Sequence, residues 1–261
     1  MENKEATSSK NKKIKIICLI IGIIIVILAA IGIYLNATKP SASQLLSNSA
    51  KTTINSGKSV IEIKSKKENV TQTMEFNNQV IHMALTSNPP NSQDQNYWSN
   101  NQRVYTKLKN KWYYLDINNN QVYKMFFSTM FTSSKKLFTR HNFAKFNSNA
   151  LSKLDVKFDG LTGYSISYSG NDSDVIKGIL QSSQVTTSQA TPLASQIKKV
   201  TLNIKTDRNK NLRDLQYTLT YKQNLGSISV HLSDINGIKN LAIPESITSK
   251  AKETSLENLQ K

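Results

Sequence analysis

The sequence predicts an α+β protein: an N-terminal transmembrane helix, then a large antiparallel sheet covered on one side by helices. Three observations lead there. Residues 16–35 form an uncharged apolar run, IICLIIGIIIVILAAIGIYL. Apolar residues then alternate with polar ones over 58–116 and again over 200–232. Between these stretches the apolar residues recur at helical spacing. Period two places side chains alternately on the faces of a strand, and a period near 3.6 marks one face of a helix.

The apolar run matches the hydrocarbon core of a bilayer, ~30 Å at ~1.5 Å rise per residue. Lys4, Lys10, Lys12, Lys13 and Lys15 precede it, and the first basic residue after it is Lys39. The positive-inside bias keeps the N-terminus in the cytoplasm and the rest outside, a single-pass cell-membrane protein with an extracellular C-terminal domain. A removable signal has a shorter apolar core and a small-x-small site, whereas Leu35 stands two places before Ala37. A lipidated cysteine follows its apolar core; Cys18 opens this one and is preceded by Ile17. The expected organisation is a tail at 1–13, the transmembrane helix at 14–35, a linker at 36–40, the outer domain at 41–248 and a charged tail at 249–261.

Cys18 is the only cysteine of the 261 residues, so the outer domain depends on no disulfide. That suits a bacterium, and the Lys-, Asn- and Ile-rich composition suits a Gram-positive one. The net charge of +17 attracts polyanions, an anionic wall polymer or lipid headgroups among them, or is simply a solvated surface.

Taken in order, Ser41 or Ser43 caps a helix carrying Leu45, Leu46, Ala50 and Ile54, stopped by Gly57. Alternation then marks strands at Ile61 and Ile63, at Val70, Met74 and Phe76, and at Ile81, Met83 and Leu85. Further strands follow at 97–98, 104–108 and 111–116, the last two joined at Lys109-Asn110. Residues 118–146 carry Met125, Phe126, Met130 and further apolar residues at the spacing of one or two amphipathic helices. Strands return at 154–158 and 164–168, then a helix capped by Asn171 or Asp172 with Val175, Ile176, Ile179 and Leu180 as its stripe. Residues 181–196, rich in Ser, Thr and Gln, read as a mobile surface loop. Val200–Ile204, Leu215–Tyr221 and Ile228–Leu232 are the clearest strands, and 249–261 reads as frayed or weakly helical.

The chemistry-bearing residues do not assemble into an enzyme. His82, His141 and His231 lack a ligand or acid neighbour in sequence. Ser-x-x-Lys occurs at Ser133, Ser195 and Ser249 without the companion Lys-Thr-Gly. Asp155 and Asp159 read as strand-end residues, and no phosphate-binding glycine loop is present. No cofactor, metal or catalytic residue is expected. Basic residues interleave with aromatics around Tyr105 and Trp112, but no nucleic-acid motif accompanies them, so no nucleic-acid partner is expected. An aromatic- and methionine-rich sheet face remains, readable as a filled core or as a cavity.

Three stretches carry a resemblance: YWSNNQRVYTKLKNKWYYLD (97–116), IKTDRNKNLRDLQYTLTY (204–221) and HLSDINGIKNLAIPESI (231–247). Together with the layout of 41–248, they resemble the LolA/LppX-like proteins, particularly Gram-positive lipoproteins of that superfamily. The resemblance implies a curved, unclosed half-barrel whose concave side is covered by helices around an apolar cavity. It implies carriage of a lipid or another hydrophobic envelope component, without catalysis. The implied lining is Met74, Phe76, Met83, Leu85, Trp112, Tyr114, Tyr217 and Leu219, under a lid carrying Met125, Phe126 and Met130. The transmembrane helix replaces the lipidated cysteine of such proteins. The other reading is a structural or sensory surface protein with a filled core, touching wall polymers or a partner protein.

Overall fold

The computed structural model describes residues 26, 34, 38–90, 95–108, 110–118, 121, 124, 125, 128, 129 and 145–255. Two units make up the chain, Met1–Pro40 and Ser41–Lys261. The expected tail and transmembrane segment lie outside the described residues, except for Val26 and Tyr34, which are helical. Among the described residues no helix is long and apolar enough to cross a membrane.

The second unit opens with α1 (Ala42–Ser49). Ser41 caps it: its hydroxyl accepts from the Gln44 backbone N–H at 3.2 Å, and Gln44 Oε1 accepts from the Ser41 N–H at 3.1 Å. This reciprocal pair satisfies two orphan donors. The helix ends at Ser49, short of the expected Gly57; Ile54 is buried from the following coil.

The strands form one unclosed sheet. First comes a meander of β1 (Gly57–Lys64), β2 (Asn69–Phe76), β3 (Val80–Asn88), β4 (Gln95–Asn100), β5 (Arg103–Leu108) and β6 (Lys111–Asp116). After α2 (Ser148–Ser152) come β7 (Asp155–Phe158), β8 (Tyr164–Gly170), α3 (Ser173–Ser182), α4 (Thr187–Gln196), β9 (Ile197–Thr206), β10 (Leu212–Tyr221) and β11 (Ser227–Ser233). A short α5 (Glu245–Thr248) and β12 (Lys252–Glu253) complete it. Twelve strands lie in the order β12-β6-β5-β4-β3-β2-β1-β11-β10-β9-β8-β7. The β1–β11 pairing welds the two halves into one sheet.

Three expectations are corrected: the all-antiparallel sheet, the frayed or weakly helical tail and the loop at 181–196. The sheet is mixed, because β12 runs parallel to β6, and residues expected as a frayed tail supply that edge strand. Residues 187–196 are helical: Thr186 and Gln189 form a capping box, and Ala190 and Ala194 bury an i, i+4 stripe. Such small side chains leave almost no hydrophobic periodicity to read. Within 118–146, the described residues Gln121, Lys124, Met125, Ser128 and Thr129 are helical, while Phe126 and Met130 lie outside them.

The register fixes two faces. Phe76, Met74, Ile81 and Met83 share one with Leu232, Val230, Leu215, Tyr217, Ile204 and Ile166. The buried side chains of α1, α3 and α4 belong to the same core cluster as this face. Val175, Ile176 and Ile179 of α3 are nearly inaccessible. The opposite, outer face carries Lys58, Glu75, His82, Thr218 and Ser229.

Candidate functional site

The helix-covered face is not uniformly filled. Over β8–β11 and the nearer ends of β1–β3 it is packed solid: Met74 is 2% exposed, Phe76 1%, Tyr217 8% and Leu219 5%. These expected cavity residues are core. Burial also raises the Tyr217 phenol above its ordinary value, against the opposing effect of its hydrogen bond with Ser183 at 3.1 Å.

Toward the other end of β1–β6 the same face is only half-buried. There Ile61 and Val70 flank Gln72, and Met83, Leu85, Tyr97 and Tyr113 continue the strip. The pairs Ile61↔Gln72↔Leu85 and Met74↔Met83↔Tyr97↔Thr106↔Tyr113 make it continuous across β1–β6. Gln72 Nε2 lies 3.6 Å from Met83 Sδ, so even the polar member of the strip points its amide at a soft sulfur. Burial raises the Tyr97 phenol, against a hydrogen bond with Thr106. A groove of about 350 Å³ at the ends of β3–β5 belongs chiefly to the opposite, outer face: Ala84, Thr86, Asn96 and Lys107 line it, joined from the strip's face by Leu85 and Gln95. The strip itself, apolar with Gln72 and two tyrosines among its members, suits an acyl chain whose head is polar.

Of the expected lining, the structure brings Met74, Phe76, Met83, Leu85, Tyr217 and Leu219 to one face. Trp112 and Tyr114 are on the other. Trp112 pairs with Lys107, and Tyr114 with Tyr105, whose other partner Trp98 pairs with His82. The register Leu108↔Lys111 makes Thr106 oppose Tyr113, so the polar Lys107 opposite Trp112 was the signal that Tyr113, not Trp112, shares the face of Met83 and Tyr97. Met125 is 69% exposed among the described residues, and Phe126 and Met130 lie outside them.

The outer face holds an aromatic row. His82 stacks on Trp98 with centroids 4.0 Å apart, and Tyr105 and Tyr114 meet at 5.9 Å. The Arg103 guanidinium lies 4.5 Å over the Tyr114 ring. Burial lowers the pKa of His82, opposed by its Nε2 contact with Asn96 Oδ1 at 3.2 Å. His231, which has no acid beside it in sequence, meets Asp214 from β10 at 2.9 Å. The hydroxyls beside this pair, Thr218 and Ser229, bond one another at 2.9 Å. Ser195 and Ser249 give their hydroxyl protons to the carbonyls of Pro192 and Glu245. His141 and Ser133 lie outside the described residues. Among the described residues no group of His, Cys, Asp and Glu could hold a metal ion.

No protein-family model matches the sequence, and no curated protein matches it significantly. Solved structures do. The chain is similar to the lipoprotein LppX of Mycobacterium tuberculosis, at 15% identity over 77% of this chain and 97% of that one, with a TM-score of 0.34. It is similar to LprF of Mycobacterium bovis at 16% identity over 78% and 96%, TM-score 0.35. A DUF1329 family protein of Desulfovibrio piger follows at 10% identity over 78% and 94%, TM-score 0.20. LppX is the namesake of the group that the sequence motifs resemble.

Proposed function

We propose that this chain is a membrane-anchored protein with its C-terminal domain, beginning near Ser41, outside the cell. There it holds a lipid or other hydrophobic envelope component without catalysis. The observation that carries the reading is the half-buried strip of Ile61, Val70, Met83, Leu85, Tyr97 and Tyr113. It shares one face with a fully packed core yet stays partly open. Methionine and tyrosine suit such a surface, the first adaptable in shape and the second apolar with a polar tip. The uncharged run at 16–35 supplies the anchor in this reading. The burial of Met74, Phe76, Tyr217 and Leu219 favours the other reading, a surface protein with a filled core whose basic exterior meets wall polymer or a partner protein.

Photo-crosslinking separates the two. The full chain is placed in nanodiscs containing a phospholipid with a diazirine near its acyl terminus, and crosslinked peptides are mapped. Lipid carriage predicts adducts within 80–88 and 95–100, lost in the Leu85→Lys variant and in Tyr113→Lys but retained in Trp112→Lys. Adducts confined to 16–35 would mean that the sheet face takes no acyl chain.

A further inference from the structure

The two ends of the sheet differ in charge and in exposed apolar residues. At one end lie the turns 65–68 (β1–β2) and 222–226 (β10–β11) together with Asn110 between β5 and β6, because β1, β5 and β10 all run toward it. That end displays Lys64, Lys66, Lys67, Lys107, Lys111 and Lys222, all exposed, with Glu62 and Glu68 as the nearby acids. Lys64 pairs with Glu62 at 3.0 Å; among the described residues the others have no carboxylate within ion-pair reach. Asp155, Asp172 and Asp174 share this end but sit at β7, β8 and α3, where Lys157, the α3 cap and Asn149 engage them. At the opposite end acids and bases are interleaved and joined, as in Asp207–Arg213 at 3.0 Å and Asp116–Arg103 at 4.0 Å.

The basic end also exposes aliphatic side chains: Leu225 at 58%, Ile63 at 45% and Leu108 at 37%. Leu225 and the β1–β2 turn form one tip. Gly226 has φ +113°, and a Cβ there would lie 1.8 Å from the Lys64 carbonyl oxygen and 3.1 Å from Ser65 Cα. The two turns are therefore in backbone contact, which puts Leu225 in the same tip as Lys66 and Lys67. Leu108 belongs to the same end, roughly 25 Å away across the strands at ~4.8 Å each.

We propose that this tip docks on an anionic lipid bilayer, with Leu225 and its aliphatic neighbours entering the headgroup region and the lysines held at the phosphate level. Charge complementarity attracts the end, and the aliphatic residues select the partner. A soluble polyanion offers Leu225 nothing, whereas a bilayer takes both kinds of side chain. The tip adjoins the acyl strip, Ile63 pairing with Val70, but docking does not require that the strip be occupied.

The test uses the full chain with Cys18→Ser and Leu225→Cys, carrying an environment-sensitive NBD label and reconstituted into phosphatidylcholine vesicles with or without phosphatidylglycerol. Docking predicts a blue shift and loss of access to an aqueous quencher only with phosphatidylglycerol, reversed by high salt. The combined variant Lys66→Gln, Lys67→Gln, Lys222→Gln should abolish the shift, at roughly fivefold in affinity per lysine. A label at Leu161, 85% exposed in a turn of the opposite end, should stay silent. Equal responses at the two positions would overturn the proposal. So would a silent Leu225 label in a chain whose tip lysines instead bind soluble polyglycerol phosphate. Flotation of the chain with vesicles reads the anchor separately, and acyl crosslinking reads the strip. A failed tip therefore cannot be confused with a failed lipid-binding reading.

Discussion

Met74 and Met83 are register partners on adjacent strands, on the same face of one sheet. Met74 is 2% exposed, and Met83 is half-buried. That step separates two regions of the molecule. On the Met74 side and on through β8–β11, the face meets α1, α3 and α4, and its residues are chiefly Ile, Leu and Val. On the Met83 side its residues are Met, Tyr, Gln and scattered aliphatics. Branched aliphatics with few rotamers build a unique packed core, while flexible Met and amphipathic Tyr tolerate a surface that is sometimes wet. One sheet can thus be scaffold over half its area and receptive surface over the other.

The contrast is sharpest for substitutions that open space. Ile204, wholly buried between Leu215 and Ile166, should cost about 2–5 kcal/mol when replaced by alanine, read by denaturant unfolding. Met74→Ala should fall in the same range, at about 2–4 kcal/mol, and Met83→Ala at about 1 kcal/mol or less. Equal costs at the two methionines would erase the distinction and make the strip ordinary core.

Titration sharpens the comparison at smaller amplitude. Burial raises the Tyr217 phenol above its ordinary value of 10.0. The unfolded chain then loses this proton first, so the stability linked to Tyr217 is complete below pH 10 and declines as pH rises beyond it. Tyr217→Phe should flatten that decline in alkaline unfolding curves. The smallest effect is expected on the outer face. Burial against Trp98 lowers His82 below 6.5, so the unfolded chain takes up the proton first as pH falls. Stability linked to His82 is present above pH 6.5 and is lost as the pH drops through that value toward the lower folded pKa. His82→Phe should remove this dependence and keep the stack, checked by unfolding across pH 5–8.

Much of this was legible in the chain. Alternation located β1–β6 and β9–β11, because a half-buried strand writes its two faces directly into the residue order. Ser41 or Ser43 and Asn171 or Asp172 announced α1 and α3, because a cap needs a short polar oxygen, and the fold uses Ser41 and Asp172. The α4 helix was silent, since its buried residues are two alanines. The strand β12 could not be read from two residues, Lys252 and Glu253, that gain their conformation only by lying along β6.

For the candidate site the division is similar. The sequence by itself determined which residues alternate, the basic excess and the uncharged run at 16–35. These are local or additive properties. Tertiary structure alone decided that β1 joins β11, that Trp112 turns away while Tyr113 turns inward, and that Met74 is sealed while Met83 is not. It also gathered Leu225 and the lysines of separate turns at one end. Strand partnership and helix coverage join residues far apart in the chain, and no local period encodes which distant face will cover a given side chain.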